Sequence, residues 1–267
     1  MNINTKNIQC KDLILGKNVI IEPSVVIRGL DGPADRIVIG DNTYIGHDVQ
    51  IICNDFEIGD YGKLHNHSNI HGYKPCKIGH NAWIGQNTII DSVGGTTIGD
   101  NCGIGAHTQL WSHIKYGDTL EGNRFLSDKP LSIGKDVWFV GHCIVSPIVA
   151  EDRSMALVGS VVTQDMQYNN VYGGSPAKNL TDKVGNQFSE VTIDEKMEKM
   201  NRLLENFMRK NRLHREIIIV RDPSEFVENK ICFSVSDRTY TKTLCHEEQM
   251  FMKYLLPEKG KFTPYEK

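Results

Sequence analysis

The sequence predicts a mainly β protein: a parallel β-helix of about seven coils followed by a small α+β appendage. Two observations carry this prediction. Apolar residues recur every six positions between Leu15 and Val162, and this period stops after Leu180. A helix would repeat its apolar face every three or four residues and a half-buried strand every two. A period of six therefore indicates short strands joined by tight corners, with one inward side chain per strand.

The apolar positions form seven trios, and each trio accounts for the three strands of one coil. In chain order they are Leu15, Ile21, Ile27; Ile39, Ile45, Ile51; Ile58, Leu64, Ile70; Ile78, Ile84, Ile90; Ile98, Ile104, Leu110; Ile133, Phe139, Val145; and Ala150, Ala156, Val162. The gaps between trios vary from 5 to 23 residues. We expect these gaps at one corner of the coil, where loops can protrude without disturbing the stack. Segments such as IGDN and IGHN suit the remaining corners, because Gly, Asn and Asp tolerate left-handed backbone.

The residues after Leu180 predict the appendage. Thr192 and Glu195 form a capping-box pattern at the start of a helix whose apolar stripe runs from Ile193 to Phe207. The segments 216–220 and 231–235 predict strands, and a second helix is expected from His246 to Pro257. The predicted domains are residues 1–180, with a protruding loop at 111–130, and residues 181–267.

Composition excludes several classes of function. The chain has 267 residues and a net charge of −3, so it offers no bulk basic charge for nucleic acid or an anionic membrane. Neither a signal peptide nor an apolar run of about 20 residues is present, so no membrane span is expected. The seven cysteines are odd in number, scattered and without a CxxC pair, which indicates reduced thiols and a cytoplasmic location.

Two segments carry a resemblance to a known family. These are KDVWFVGHCIVSP (135–147) and GSVVTQDMQYNNVYGGSPAK (159–178). With the six-residue period, they resemble the hexapeptide-repeat acyltransferase family, in its sugar N-/O-acyltransferase branch. The resemblance covers about residues 15–180. It implies a left-handed parallel β-helix, a homotrimer, and acetyl-CoA or another acyl-CoA bound as co-substrate along the outer groove between subunits.

The same resemblance suggests which residues hold the co-substrate. Gly159 and Ser160 match the small-residue pair whose backbone pairs with the pantetheine arm, and Lys178 lies near the nucleotide end. Trp138 would flank the acyl end of the groove. Gly141 falls where family members place the N–H that stabilises the thioester oxyanion.

Three residues depart from the family pattern. Gln164 replaces a lysine that often follows Val-Val-Thr, which removes a possible charge contact to coenzyme A. Val140 and Ile148 replace glycines, so we expect a bulkier groove floor.

The long loop after Leu110 predicts the catalytic base. Sugar acetyltransferases of the family carry a long loop in the same coil that opens with their catalytic histidine, and by this resemblance His113 is the base. Histidine suits the role because it titrates near neutrality. Asp118 or Glu121 would orient the imidazole, and His142 is the reserve base because it follows Gly141.

Other polar residues are expected to line the acceptor site. They are His65, His67, Asp91, Trp111 and Glu121. The expected acceptor is the amino group of a sugar, and in particular of a nucleotide-linked amino sugar for surface polysaccharide. That substrate class rests on analogy with the family.

Three alternatives stay open. The first is a sugar O-acetyltransferase. The second is a metal hydratase like the γ-class carbonic anhydrases, with ligands from the histidines of KLHNHSNIHGYKP (63–75), although no metal ligand set is assigned. The third is a non-catalytic trimeric scaffold, because a β-helix alone does not define function.

Overall fold

The computed structural model of the chain describes residues 7–127, 129–256 and 258–265. Contacts divide the chain into two compact units, residues 1–188 and 189–267. The outer limits of the two predicted domains, 1–6 and 266–267, lie outside the described residues, as do Asp128 of the predicted loop and Pro257. The boundary predicted at residue 180 stays a prediction.

The first unit consists of short strands and one short helix, α1 (Thr181–Val184). The strands are β1 (Cys10–Leu15), β2 (Ile20–Ile21), β3 (Val26–Arg28), β4 (Ala34–Ile39), β5 (Tyr44–Ile45), β6 (Gln50–Cys53), β7 (Asp55–Ile58), β8 (Lys63–Leu64), β9 (Asn69–Gly72), β10 (Cys76–Ile78), β11 (Trp83–Ile84), β12 (Ile89–Asp91), β13 (Thr96–Ile98), β14 (Gly103–Ile104), β15 (Gln109–Leu110), β16 (Leu131–Ile133), β17 (Trp138–Phe139), β18 (Ile144–Val145), β19 (Val149–Ala150), β20 (Met155–Ala156), β21 (Val161–Val162), β22 (Val171–Gly174) and β23 (Ala177–Asn179).

Every third strand joins the same parallel sheet, so the chain winds into a parallel β-helix with three faces. It is of the left-handed class. The sheet orders are β1-β4-β7-β10-β13-β16-β19, β2-β5-β8-β11-β14-β17-β20-β22-β23 and β3-β6-β9-β12-β15-β18-β21. The predicted trios are confirmed, because Ile39, Ile58 and Ile78 lie in register and are 0–2% exposed. The apolar core is therefore a ladder of inward side chains, to which some strands add a second, such as Phe56 beside Ile58.

At two corners of the coil, the residue three positions after the inward core residue has left-handed backbone, and this recurs from coil to coil. The first column is Asn18, Asn42, Tyr61, Asn81, Asn101, Asp136 and Arg153, with φ between 56° and 65°. The second is Asp48, His67, Asn87, His107, His142 and Gly159, with φ between 51° and 73°. The variable gaps follow β3, β6, β9, β12, β15 and β18, and so occupy the third corner, as predicted.

The GGSPAK segment ends the coil stack. β22 adds to β20 in parallel, and β23 then returns antiparallel to β22 through a turn with a cis Ser175–Pro176 peptide bond. The last parallel edge of this face is therefore paired by a strand of opposite direction.

The second unit is an α+β fold. It comprises α2 (Ile193–Met208), β24 (Ile217–Val220), a 3₁₀ turn (Pro223–Glu225), β25 (Ile231–Ser234), β26 (Thr239–Tyr240), α3 (His246–Leu255) and β27 (Thr263–Pro264), with sheet order β24-β25-β26-β27. The predicted capping box is confirmed at Thr192 and Glu195. Phe207, Phe233 and Phe251 pack at the centre of the unit, with ring centroids 5.1–5.2 Å apart.

All seven cysteines are free thiols. Among the described residues, no helix combines the length and the apolar character needed to cross a bilayer.

Candidate active site

A buried carboxylate of the fourth coil and a histidine of the fifth coil meet at the third corner. Asp91 ends β12 and is fully buried, at 0% exposure. Its Oδ2 accepts hydrogen bonds from the Ser112 N–H at 2.9 Å, the Ser112 hydroxyl at 2.6 Å and His113 Nδ1 at 2.8 Å. Three donors on one oxygen hold the loop opening against the coil below it.

The register of the coils explains this contact. Ile90 pairs with Leu110, so Trp111 occupies in the next coil the position that Asp91 has in its own. Ser112 then begins the long loop. Ser112 secures the corner because its Oγ also accepts the Gly94 N–H at 2.9 Å. The loop therefore leaves the stack from a fixed point, with His113 directly beside Asp91.

The hydrogen bonds assign the tautomer of His113. An ionised carboxylate only accepts, so Nδ1 carries a proton, and in the neutral imidazole Nε2 then keeps its lone pair. The side chain of His113 is 21% exposed, whereas that of Asp91 is 0% exposed. A half-buried imidazole held by a buried carboxylate is the arrangement of a general base.

The orienting residue differs from the expectation. The Oδ1 of Asp118 accepts the N–H groups of Leu120 at 2.9 Å and Glu121 at 3.3 Å, and so shapes the loop tip. Asp91 performs the orienting role instead. The Asp91 carboxylate contacts the imidazole and is buried, so it is not open to an acceptor. Glu121, by contrast, is exposed on the loop.

The loop itself is a hairpin-like excursion. Ile114 and Ser127 pair antiparallel through two backbone hydrogen bonds of 2.7 and 2.8 Å, which close its base. Beyond that bridge, Tyr116, Leu120 and Phe125 are exposed.

A second group of predicted residues lies around the corner that follows β17. Gly141 has φ of +145°, which disfavours a side chain, and no hydrogen bond from its N–H is present among the described residues. Trp138 is 46% exposed, and its indole lies across Gly103, where an added Cβ would be 3.0 Å from Cδ1. Gly141 is buried in the described chain, whereas the indole of Trp138, three residues before it, is exposed.

The small-residue pair is open but already bonded within the stack. A Cβ added to Gly159 would have no atom of the described residues within 4 Å, so no side chain blocks the approach. The Gly159 N–H bonds to the Gly141 carbonyl at 3.0 Å, and the Ser160 N–H bonds to Leu157 at 3.3 Å. Both N–H groups of this pair are therefore engaged within the described chain, and the Ser160 carbonyl also accepts the Ile144 N–H at 2.9 Å. Lys178 is exposed on β23.

The expected acceptor residues fall in different places. His65 is half-buried in a row of rings, 6.2 Å from Tyr44 and 5.0 Å from Trp83. Burial, and secondly the charge of Lys63, lowers the pKa of His65. His67 is exposed, with Nδ1 3.5 Å from Asp48.

The reserve base His142 is one of a stacked pair. Its ring lies 4.8 Å from that of His107 at an interplanar angle of 16°, as expected for one column in successive coils.

Trp111, expected at the acceptor site, lies 6.3 Å from the His113 ring. Ile148 is 1% exposed and belongs to the core, so the expectation that it narrows a groove was wrong.

Within one chain, the two groups of residues lie at different corners. His113 follows β15 at the third corner, whereas Gly141 and Gly159 follow β17 and β20 at the second. The sequence alone did not single out Ser112, although its position one residue before the expected base was a signal. In the described part of the chain, no cluster of three or more His, Cys, Asp or Glu side chains has the geometry of a metal site.

Comparison with known proteins shows which proteins the chain is similar to. No family model matches the chain. The bifunctional protein GlmU of Listeria welshimeri is 27% identical over 179 residues, covering 58% of this chain and 36% of that protein. The galactoside O-acetyltransferase of Escherichia coli K12 is 34% identical over 115 residues, covering 42% of this chain and 53% of that protein. The chain thus spans about a third to a half of the length of these curated relatives.

Solved structures show similar chains at low identity. AntD, an N-acyltransferase from Bacillus cereus solved with dTDP and coenzyme A, is 17% identical with a TM-score of 0.44, covering 75% of this chain and 93% of that one. The polysialic acid O-acetyltransferase OatWY is 17% identical with a TM-score of 0.41, covering 72% and 98%. The repeat, the fold and the curated relatives together indicate the hexapeptide-repeat acyltransferase family.

Proposed function

We propose that this protein is an acyl-CoA-dependent acyltransferase that moves an acyl group, with acetyl as the default, to the amino group of a sugar. A nucleotide-linked amino sugar is the proposed acceptor class. The observation that carries the proposal is the 2.8 Å contact between buried Asp91 and the half-buried His113. The name of one curated relative, a galactoside O-acetyltransferase, supports the family of reactions.

His113 acts on the nucleophile in this mechanism. Its Nε2 accepts the proton that the acceptor nitrogen loses as the nitrogen attacks the thioester carbonyl. Asp91 stabilises the imidazolium that forms, because its carboxylate accepts the Nδ1–H hydrogen bond. Coenzyme A leaves as a thiolate, which is a good leaving group.

Gly141 stabilises the developing charge on the thioester oxygen. A fixed N–H donor in such a position contributes about 3–4 kcal/mol to transition-state stabilisation. Trp138 and Gly159 line the path of the acyl carrier, and Lys178 meets one of its phosphates as a point charge. His65, His67, Trp111 and Glu121 remain proposed acceptor contacts.

A homotrimer would bring the two groups of residues together. His113 and Gly141 occupy different corners of one β-helix, so one catalytic centre needs corners from neighbouring chains. Light scattering on the purified protein tests this, and a monomer that retains full activity would contradict it.

A sugar hydroxyl is the second candidate acceptor. A hydroxyl is a weaker nucleophile than a neutral amine and depends more on a base, which the Asp91–His113 pair supplies. The relative with 34% identity is named an O-acetyltransferase. No observation favours a metal hydratase.

The test is a thiol-release assay with acetyl-CoA and a matched panel of amino sugars, their nucleotide-linked forms and the corresponding hydroxyl sugars. Alkali-stable product indicates an amide, and alkali-labile product indicates an ester. The proposal expects acceptor-dependent release that His113→Gln reduces. No release above buffer with any acceptor, or full activity in His113→Gln, would refute it. The expected cytoplasmic location stays a prediction.

A further inference from the structure

Two aromatic side chains flank an exposed lysine on the second face of the β-helix, the sheet that contains β5, β8 and β11. Lys63 pairs with Tyr44 in the coil below and with Trp83 in the coil above. The residue that follows each of them is buried in the core, so these three side chains lie on the outer surface. Because neighbouring strands lie about 4.8 Å apart, the backbones that carry the two rings are about 10 Å apart.

His65 lies between the two rings. Its ring centroid is 6.2 Å from that of Tyr44 and 5.0 Å from that of Trp83, with interplanar angles of 59° and 55°. Trp83 is 36% exposed, so part of the indole stays open beside this contact. Burial, and secondly the charge of Lys63, lowers the pKa of His65, so its imidazole is neutral at pH 7.5. Lys63 is therefore the positive charge of this group.

The polar atoms of Lys63 and Trp83 are available to a ligand. Lys63 is exposed, and in the described part of the chain its ammonium group has no ion pair and no hydrogen bond. The carboxylate of Glu22 is engaged elsewhere, because it accepts the Tyr44 hydroxyl and lies 3.5 Å from His47 Nε2. The indole N–H of Trp83 donates no hydrogen bond to the described residues.

We propose that Tyr44, Lys63 and Trp83 form a binding site for a sugar that carries a carboxylate or phosphate group. One face of a pyranose ring consists of C–H groups with partial positive charge, which pack on the negative face of an aromatic ring. A sugar hydroxyl accepts the indole N–H, and the anionic group meets the Lys63 ammonium as a point charge. The site goes beyond the proposed function, because binding here needs neither His113 nor an acyl carrier.

Other classes of ligand match this surface less well. A neutral apolar partner would cover the Lys63 charge without supplying a counter-charge, which is unfavourable. A cation would be attracted by the two rings but repelled by Lys63. Inorganic phosphate would meet Lys63 alone, and an exposed ion pair by itself contributes little. Two rings beside one cation therefore favour a ligand that has both a C–H face and an anionic group.

The experiment is a ligand-observed nuclear magnetic resonance titration with glucuronate, glucose 1-phosphate, glucose and inorganic phosphate. In low salt the two charged sugars should bind about threefold more tightly than glucose, as expected for an exposed ion pair. Trp83→Ala should lower the affinity for all three sugars by at least about tenfold. Lys63→Gln should reduce the affinity for the charged sugars to that for glucose and leave glucose binding unchanged.

Two variants serve as matched controls, Lys77→Gln and Tyr73→Ala. Lys77 is also an exposed lysine in a strand, but its neighbours in register are Glu57 and Thr97, so no ring flanks it. Tyr73 is 70% exposed and follows β9, away from the strands of the second face. Both variants should bind every sugar as wild type does.

Several results would overturn the inference. These are no sugar binding by wild type, equal affinity for charged sugars and glucose, or sugar binding that Trp83→Ala leaves unchanged. Tighter binding of uridine monophosphate than of either charged sugar would assign the rings to a nucleobase instead. His113→Gln should bind the sugars as wild type does. If no acceptor supports acyl transfer but binding that depends on Trp83 is present, the proposed function fails and this site stands.

Discussion

Replacing Asp91 by Asn tests whether the carboxylate works through its charge. The amide oxygen can take the place of Oδ2 and still accept from Ser112 N–H, Ser112 Oγ and His113 Nδ1. Each bond then weakens from the charged range of about 1.5–3 kcal/mol to the neutral range of about 0.5–1.5 kcal/mol. Three bonds together lose about 3 kcal/mol.

The loss in folding stability is offset because no charge has to be buried. Desolvation of a buried carboxylate costs several kcal/mol, so the free energy of unfolding of Asp91→Asn should stay within about 1 kcal/mol of wild type. The transition state has no such compensation, because the imidazolium loses its counter-charge. We expect kcat to fall by about 100-fold or more.

The assay is steady-state transfer at pH 7.5, run beside a urea titration on the same preparations. Asp118→Asn is the control, since that carboxylate lies at the loop tip and bonds only to loop backbone in the described structure. A folded Asp91→Asn enzyme with wild-type kcat would refute the role of the charge. A variant that unfolds would refute the stability argument.

Four further predictions concern single residues. His113→Gln should lower kcat by at least about 100-fold with little change in KM for acetyl-CoA, and a change confined to KM would contradict its role as base. Gly105→Ala should lower the free energy of unfolding by about 3 kcal/mol, since the new Cβ meets the Val140 carbonyl, and a loss below about 0.5 kcal/mol in urea would argue against this packing. Burial raises the pKa of Glu248 above its ordinary 4.5, so the stability it contributes is full at lower pH and is lost as pH rises. Glu248→Gln should therefore gain stability over wild type at pH 7 but not at pH 4, and an equal difference in thermal melts at both would refute the assignment. Lys178→Ala should raise KM for acetyl-CoA about threefold in low salt, with the difference vanishing near 0.5 M salt because exposed charges are screened, and a salt-independent effect would point to another cause.

The core of the β-helix was predictable because an inward residue recurs at a fixed spacing from strand to strand. Ile39, Ile58 and Ile78 could be assigned without knowing how the strands pair. The helix start at Thr192 was predictable because a capping box is a local signal. By contrast, β26 and β27 have two residues each, too few to show an alternating pattern.

The site was predictable only for residues that follow the six-residue period, and not for the loop that leaves it. The period places Asp91 and Trp111 in one column, but it does not say how the chain turns beyond the last inward residue. The contact of His113 with Asp91 depends on that turn, so the sequence supplied the proposed base but not its partner. Ile148 was wrongly assigned to the groove floor. It lies in the short gap of five residues between Val145 and Ala150, and its side chain is buried in the core.

The strand β23 has a consequence for how molecules of this protein behave toward one another. A coil stack presents exposed parallel edges at its end, onto which another copy could add its own coil. By pairing antiparallel with β22, the residues Ala177–Asn179 place a strand of the wrong direction at that position. Deleting this hairpin should therefore convert a discrete particle into one that grows end to end at high concentration.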